Sequence, residues 1–130
     1  MSDFRTPLSR ARGLGAAKSG VGHFIGQRVS AIALVILIPV FLWSVITLPS
    51  GGYEAARDWI ASPLGALVLL LTLSAAFYHM RLGVQVVIED YIHKPATKHL
   101  LLIANTLIAA GFWIATLYAV IMTAVRAVAA

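Results

Sequence analysis

The 130-residue sequence has no cysteine, only five acidic residues, and charged residues at 12% of the whole. Without cysteine there are no disulfides and no thiolate metal sites, although the compartment stays open. A soluble domain of this size would be far more polar. No internal repeat, low-complexity tract or second domain is present. What is abundant is apolar: 60% of the residues are hydrophobic and the mean hydropathy is +0.89. These values point to a membrane protein. The net charge of +5 could suit a nucleic acid, but the bases cluster beside apolar runs. Membrane topology explains them more economically, with lipid as partner and no nucleic acid.

Crossing a bilayer takes ~20 apolar residues. Residues 29–48, "VSAIALVILIPVFLWSVITL", carry no charge, and neither do residues 100–122. A third run starts at Leu64 and is wholly apolar to Tyr78, but its helical pattern continues to about Ile92, where "HKP" ends it. A helix over 64–92 would be ~43 Å long and must tilt or protrude. The expectation is an all-α integral membrane protein with three transmembrane helices, a basic arm over 1–28 and an anchor domain over 29–125. Pro39 is expected to kink the first span, and Trp43, Tyr53 and Trp59 to anchor one interface. Arg5, Arg10, Arg12, Lys18 and Arg28 precede the first span, and Lys94 and Lys98 follow the second; the loop between those spans has only Arg57. This bias predicts a cytoplasmic N-terminus and a periplasmic C-terminus in a bacterial inner membrane. The alternative is a mitochondrial inner membrane, with the matrix in place of the cytoplasm. The Arg-rich, Gly/Ser-rich first segment could also be a transit peptide, and a plain arm is preferred.

The polar residues of the second span stand out in "AAFYHMRLGVQVVIEDYIHKP", residues 75–95. An intramembrane histidine is costly and faces a protein interior or a cavity. At ~100° per residue, His79 shares its face with Thr72, Ala75, Ala76, Gly83, Val86 and Asp90, mostly small residues. Such a stripe is the usual sign of close helix packing, with the histidine hydrogen-bonded to a neighbour. The sharper reading makes His79 an axial ligand to haem iron, with Gly83 leaving clearance one turn along. His23, His93 and His99 lie on the order of 15 Å from its level, so a second ligand would have to come from another chain. Glu89, Asp90 and Tyr91 end the helix near the level of Arg28. They are either interfacial residues meeting headgroups, Arg28 and Lys94, or a quinone site with the Tyr91 hydroxyl donating and a carboxylate relaying protons. Arg81 lies about 160° from His79, with Gln85 near its side, and is expected to snorkel or to pair with a partner's carboxylate.

The stretch "HMRLGVQVVIEDYIHKP" resembles the haem- and quinone-proximal motif of the succinate dehydrogenase hydrophobic membrane anchor family. "GHFIGQRVSAIAL" is similar to that family's entry into its first span, an arginine followed by small and hydroxyl residues. The resemblance implies complex II, in which a flavoprotein and an iron–sulfur protein sit on two small anchors that bind haem b and ubiquinone. It implies His79 as an axial ligand of the haem iron, with the cytochrome b anchor subunit supplying the other histidine. It implies Tyr91 as a hydrogen-bond donor to ubiquinone, and Asp90 and Arg28 near the quinone or the haem propionates. It implies no succinate chemistry in this chain, which would dock the soluble subunits and share in quinone reduction. A fumarate-reductase-type anchor, or a cofactor-free membrane scaffold or transporter subunit, are the competing readings.

Overall fold

The computed structural model describes residues 6–13, 19–48 and 51–129. These form a short helix α1 (Pro7–Ala11), then α2 (Ser19–Ile46), α3 (Gly52–Ala61), α4 (Pro63–Tyr91) and α5 (Pro95–Ala129), with no strand among the described residues. Three of the helices, α2, α4 and α5, are long and apolar enough to cross a membrane. Helix α4 lies within a residue of the expected 64–92, α5 extends past 100–122 at both ends, and α2 starts well before 29 and stops short of 48. Helix α2 starts at Ser19, so the last ten residues of the segment read as an arm are helical. Pro39 lies inside α2, which continues to Ile46 although proline offers no N–H to the Val35 carbonyl.

Helix α4 is central: it packs against α2 on one side and α5 on the other, and α3 lies against α4 and α5. This row of helices buries little. The core is Val68, Leu82, Ile88, Ala109 and Val120, joined by the polar Ser30 and Thr72. The accessible surface of 9643 Å² exceeds the ~6,700 Å² of a soluble monomer of this mass. Most of the excess is apolar side chain on all three long helices, which in water would be a severe aggregation liability. Lipid and partner helices must cover it.

Polar clamps fasten α4 to α5. The Asn105 amide donates to the Arg81 carbonyl at 2.9 Å, Arg81 Nε to Thr106 Oγ1 at 3.2 Å, and Trp113 Nε1 to Ser74 Oγ at 2.8 Å. Phe77 and Phe112 stack between them with centroids 6.0 Å apart. The direct bonds add to packing where the hydrophobic effect gives helices no reason to associate.

The segment 51–61 was expected to be loop with interfacial aromatics; it folds as α3. Its Trp59 tilts against Phe41 of α2 at 6.1 Å, while Glu54 and Arg57 pair at 3.6 Å. Ser62 turns the chain from α3 into α4 in an extended conformation. Its hydroxyl donates to the Trp59 carbonyl at 2.7 Å and accepts from Gly65 N at 3.0 Å, and Pro63 takes the first helical position. A Cβ at Gly65 would collide with the Trp59 carbonyl. Gly65→Ala is therefore expected to destabilise this corner by about 3 kcal/mol, measured as a lowered thermal midpoint of the helical signal in detergent. At the other end, Ile92 leaves the helix, the Lys98 ammonium donates to the Glu89 carbonyl at 2.7 Å, and Pro95 opens α5.

Candidate cofactor site

The seam between α2 and α4 starts from a close approach at Gly26. A Cβ there would stand 2.7 Å from Tyr78 Oη and 3.3 Å from Leu82 Cδ1, so any larger residue would require the Tyr78 side chain to shift. Beside this contact His79 of α4 reaches across to α2. Its Nδ1 lies 3.0 Å from Ser30 Oγ, and its Nε2 lies 3.4 Å from the Gln27 amide nitrogen. Gly83 faces the same glutamine: a Cβ on it would stand 3.8 Å from Gln27 Nε2, an ordinary contact. Its small size is not forced by α2 and leaves room for what packs in front.

The hydrogen bonds of Ser30 bear on the tautomer of the imidazole. Ser30 is 6% exposed, and its hydroxyl donates back along α2 to the Gly26 carbonyl at 2.8 Å, with the Gln27 carbonyl at 3.1 Å. With the hydroxyl proton on those carbonyls, Ser30 offers His79 a lone pair, Nδ1 carries the imidazole proton and the lone pair is left on Nε2. A neutral histidine anchored through Nδ1–H to a protein acceptor is the arrangement that orients Nε2 toward a metal. The only described group against that nitrogen is the Gln27 amide, at a distance where a hydrogen bond is weak. The carbonyl oxygen of the same amide, Oε1, is buried with no partner. Nothing holds this end of Gln27 in place, so it can yield to a stronger occupant of the Nε2 position. Among the described residues no three His, Asp or Glu side chains cluster to hold a metal by themselves. The residues present are compatible with His79 holding a haem from one side, and a second ligand would then come from another chain.

The remaining candidate residues lie apart from this seam. Tyr91 is 75% exposed at the end of α4, ~18 Å along the helix from His79. Asp90 beside it is also exposed, and neither side chain has a partner among the described residues. Arg28 is exposed on α2 with its guanidinium 5.3 Å above the Phe24 ring, and no contact joins it to Asp90 or Tyr91. Arg81 faces α5, as its bond to Thr106 shows, while Gln85 donates to Glu89 at 2.8 Å instead of joining it. The sequence reading missed Ser30 and Gln27 as partners of His79. Two polar residues three apart at the start of the first span were the available signal.

Comparison with known proteins bears on what the seam is for. Residues 2–117 match the family described as the succinate dehydrogenase/fumarate reductase transmembrane subunit. The succinate dehydrogenase hydrophobic membrane anchor subunit of Rickettsia bellii is 34% identical over 102 residues, 78% of this chain and 82% of that protein. The protein of the same name from Rickettsia conorii is 32% identical over 102 residues, covering 78% and 81%. That from Paracoccus denitrificans is 31% identical over 93 residues, 72% of each chain. With a polar seam across its first two spans and this likeness along most of its length, the chain belongs to the succinate dehydrogenase/fumarate reductase transmembrane subunit family.

Proposed function

We propose that this chain anchors a succinate:ubiquinone oxidoreductase in the bacterial inner membrane, holds one face of haem b through His79, and forms part of the ubiquinone site through Tyr91. The observation that carries the reading is the Ser30–His79 hydrogen bond, because it leaves the Nε2 lone pair free for iron. The curated relatives carry the succinate dehydrogenase name, which favours this reading over a fumarate-reductase anchor. When bound, haem b supplies a one-electron carrier and ubiquinone an acceptor for two electrons and two protons.

This chain's residues have separate tasks at two depths. In the span, Ser30 fixes the tautomer and orientation of His79, Gln27 gives up the Nε2 position, and Gly83 leaves the adjoining surface clear. At the end of α4 the exposed Tyr91 hydroxyl donates to a quinone carbonyl oxygen, and the Asp90 carboxylate beside it accepts and passes protons from water. Arg28 supplies a positive charge at the same end, suited to a propionate or to the quinone. The bias of basic residues supports a cytoplasmic position for this end, where the flavoprotein and iron–sulfur subunits would dock, with the C-terminus of α5 on the periplasmic side. The cytochrome b subunit brings the other haem histidine and the remainder of the quinone pocket.

Purifying the tagged chain from its native membrane tests the assignment. A flavin-containing and an iron–sulfur subunit should co-purify with succinate:quinone reductase activity, and their absence would overturn it. Ser30→Ala separates orientation from ligation: haem content of the purified complex is expected to fall ~10-fold or more, in line with the loss on removing a hydrogen bond behind a metal ligand. Unchanged haem content and an unchanged low-temperature spectrum would count against that role for Ser30.

A further inference from the structure

Arg81 is a cation in the membrane with nothing of opposite charge beside it. Its guanidinium bonds Thr106 through Nε, and among the described residues it has no ion pair. If the ~20 residues that fill the hydrocarbon layer start at Leu64, they end near Val84, placing Arg81 ~5 Å inside the boundary. A charge there is expected to face a cavity and to meet an anion.

Arg81 lines two cavities that differ in polarity. Between α4 and α5, toward the membrane interior, an open groove of about 340 Å³ runs past Phe77, Ala110 and Trp113 and is almost wholly apolar. Between α4 and the start of α2, toward the basic end, a cleft of about 450 Å³ has mixed polar and apolar walls including His23 and Gln85. Both volumes are in the ~300–1,000 Å³ range of ligand sites. His23 Nε2 is buried without a hydrogen-bond partner. Glu89, on the cleft rim, accepts a hydrogen bond from Gln85 and does not pair with Arg81. The layout is therefore an apolar groove below, a polar cleft at headgroup level above, and one unneutralised guanidinium at their junction.

We propose that this junction is a structural phospholipid site, with the phosphodiester on Arg81 beneath His23 and one acyl chain in the α4–α5 groove. A second copy of this chain is a poor occupant, because the acids among its described residues, Glu54, Asp58, Glu89 and Asp90, lie near the helix ends and not at the depth of Arg81. The exposed Tyr91 does not line the cleft and lies ten residues, ~15 Å, along α4 from Arg81, so ubiquinone at Tyr91 would occupy a different level. Arg81 itself lies ~160° around α4 from His79, while Leu82 and Val86 of the cleft wall lie on the His79 side. Lipid retention, read beside haem content, separates this proposal from the haem and quinone assignments.

Native mass spectrometry of the intact complex after repeated washing in mild detergent tests it. The expected result is one phospholipid retained per copy of this chain. Arg81→Gln should lower that retention at least 10-fold, and Ala110→Phe, which keeps the charge but fills the exposed groove, should lower it to a similar degree. Haem content should be unchanged in both. Equal lipid retention in both variants would overturn the site. So would loss of a partner subunit from Arg81→Gln with lipid retention intact, since a protein carboxylate would then be the counter-charge.

Discussion

Complex purified with His79→Ala is expected to lose its b-type absorption, seen as the disappearance of the reduced-minus-oxidised α band. The magnitude follows from the ligand count. His79 is the single histidine of α4, and its ring lies in the α2–α4 seam. On the proposed reading its removal would take away this chain's ligand to the haem, and the histidine supplied by the cytochrome b subunit alone would hold the group far more loosely. The substitution also breaks the contact with Ser30, worth about 1 kcal/mol. That loss is small beside the rest of the α2–α4 contact, so the subunits should still assemble. Retained subunit stoichiometry with lost absorption identifies a ligand. Absorption unchanged in His79→Ala would remove this residue from the haem. Partial recovery on adding imidazole would further mark the vacated position as a coordination site, since a packing defect would not respond to a free ligand.

The second large effect belongs to Tyr91→Phe. The ring at this position is mostly exposed at the end of α4 and has no partner among the described residues, so the change removes one hydroxyl and no internal contact. Folding should be unaffected. A hydrogen bond from this hydroxyl to a quinone carbonyl is worth about 1–2 kcal/mol, or ~5- to 30-fold in kcat/KM for quinone. Succinate oxidation measured with a soluble acceptor should stay at its wild-type value, because on the proposed reading that reaction belongs to the soluble subunits. An equal fall in both activities would point to impaired assembly, and no fall in either would take Tyr91 out of the quinone site.

Much of the architecture was legible along the chain because a bilayer imposes simple rules on a helix. Backbone groups must be satisfied within the segment, which makes an uncharged run of about 20 residues read as a span. Local chemistry marked the ends of α4 well: Ser62 caps it, Pro63 starts it, and "HKP" stops it. The start of α2 was less visible. Gly20, Gly22 and Gly26 lower helix propensity there, and tertiary contact with α4 overrides it. Helix α3 was hidden among loop residues because an amphipathic segment of ten residues is marginal until its apolar face has something to lie on.

The sequence by itself determined the number of spans and the spacing of the polar residues along α4. These depend on hydrophobic length and on the fixed rise and turn of an α-helix. Only the tertiary structure decided what each polar face meets. Helical periodicity says which residues point together, but not toward which neighbour, since the rotation of a helix about its axis is set by packing. Packing at the α2–α4 seam sets His79 against Ser30 and Gln27. The same packing leaves Arg81 at the junction of two cavities on the far side of α4.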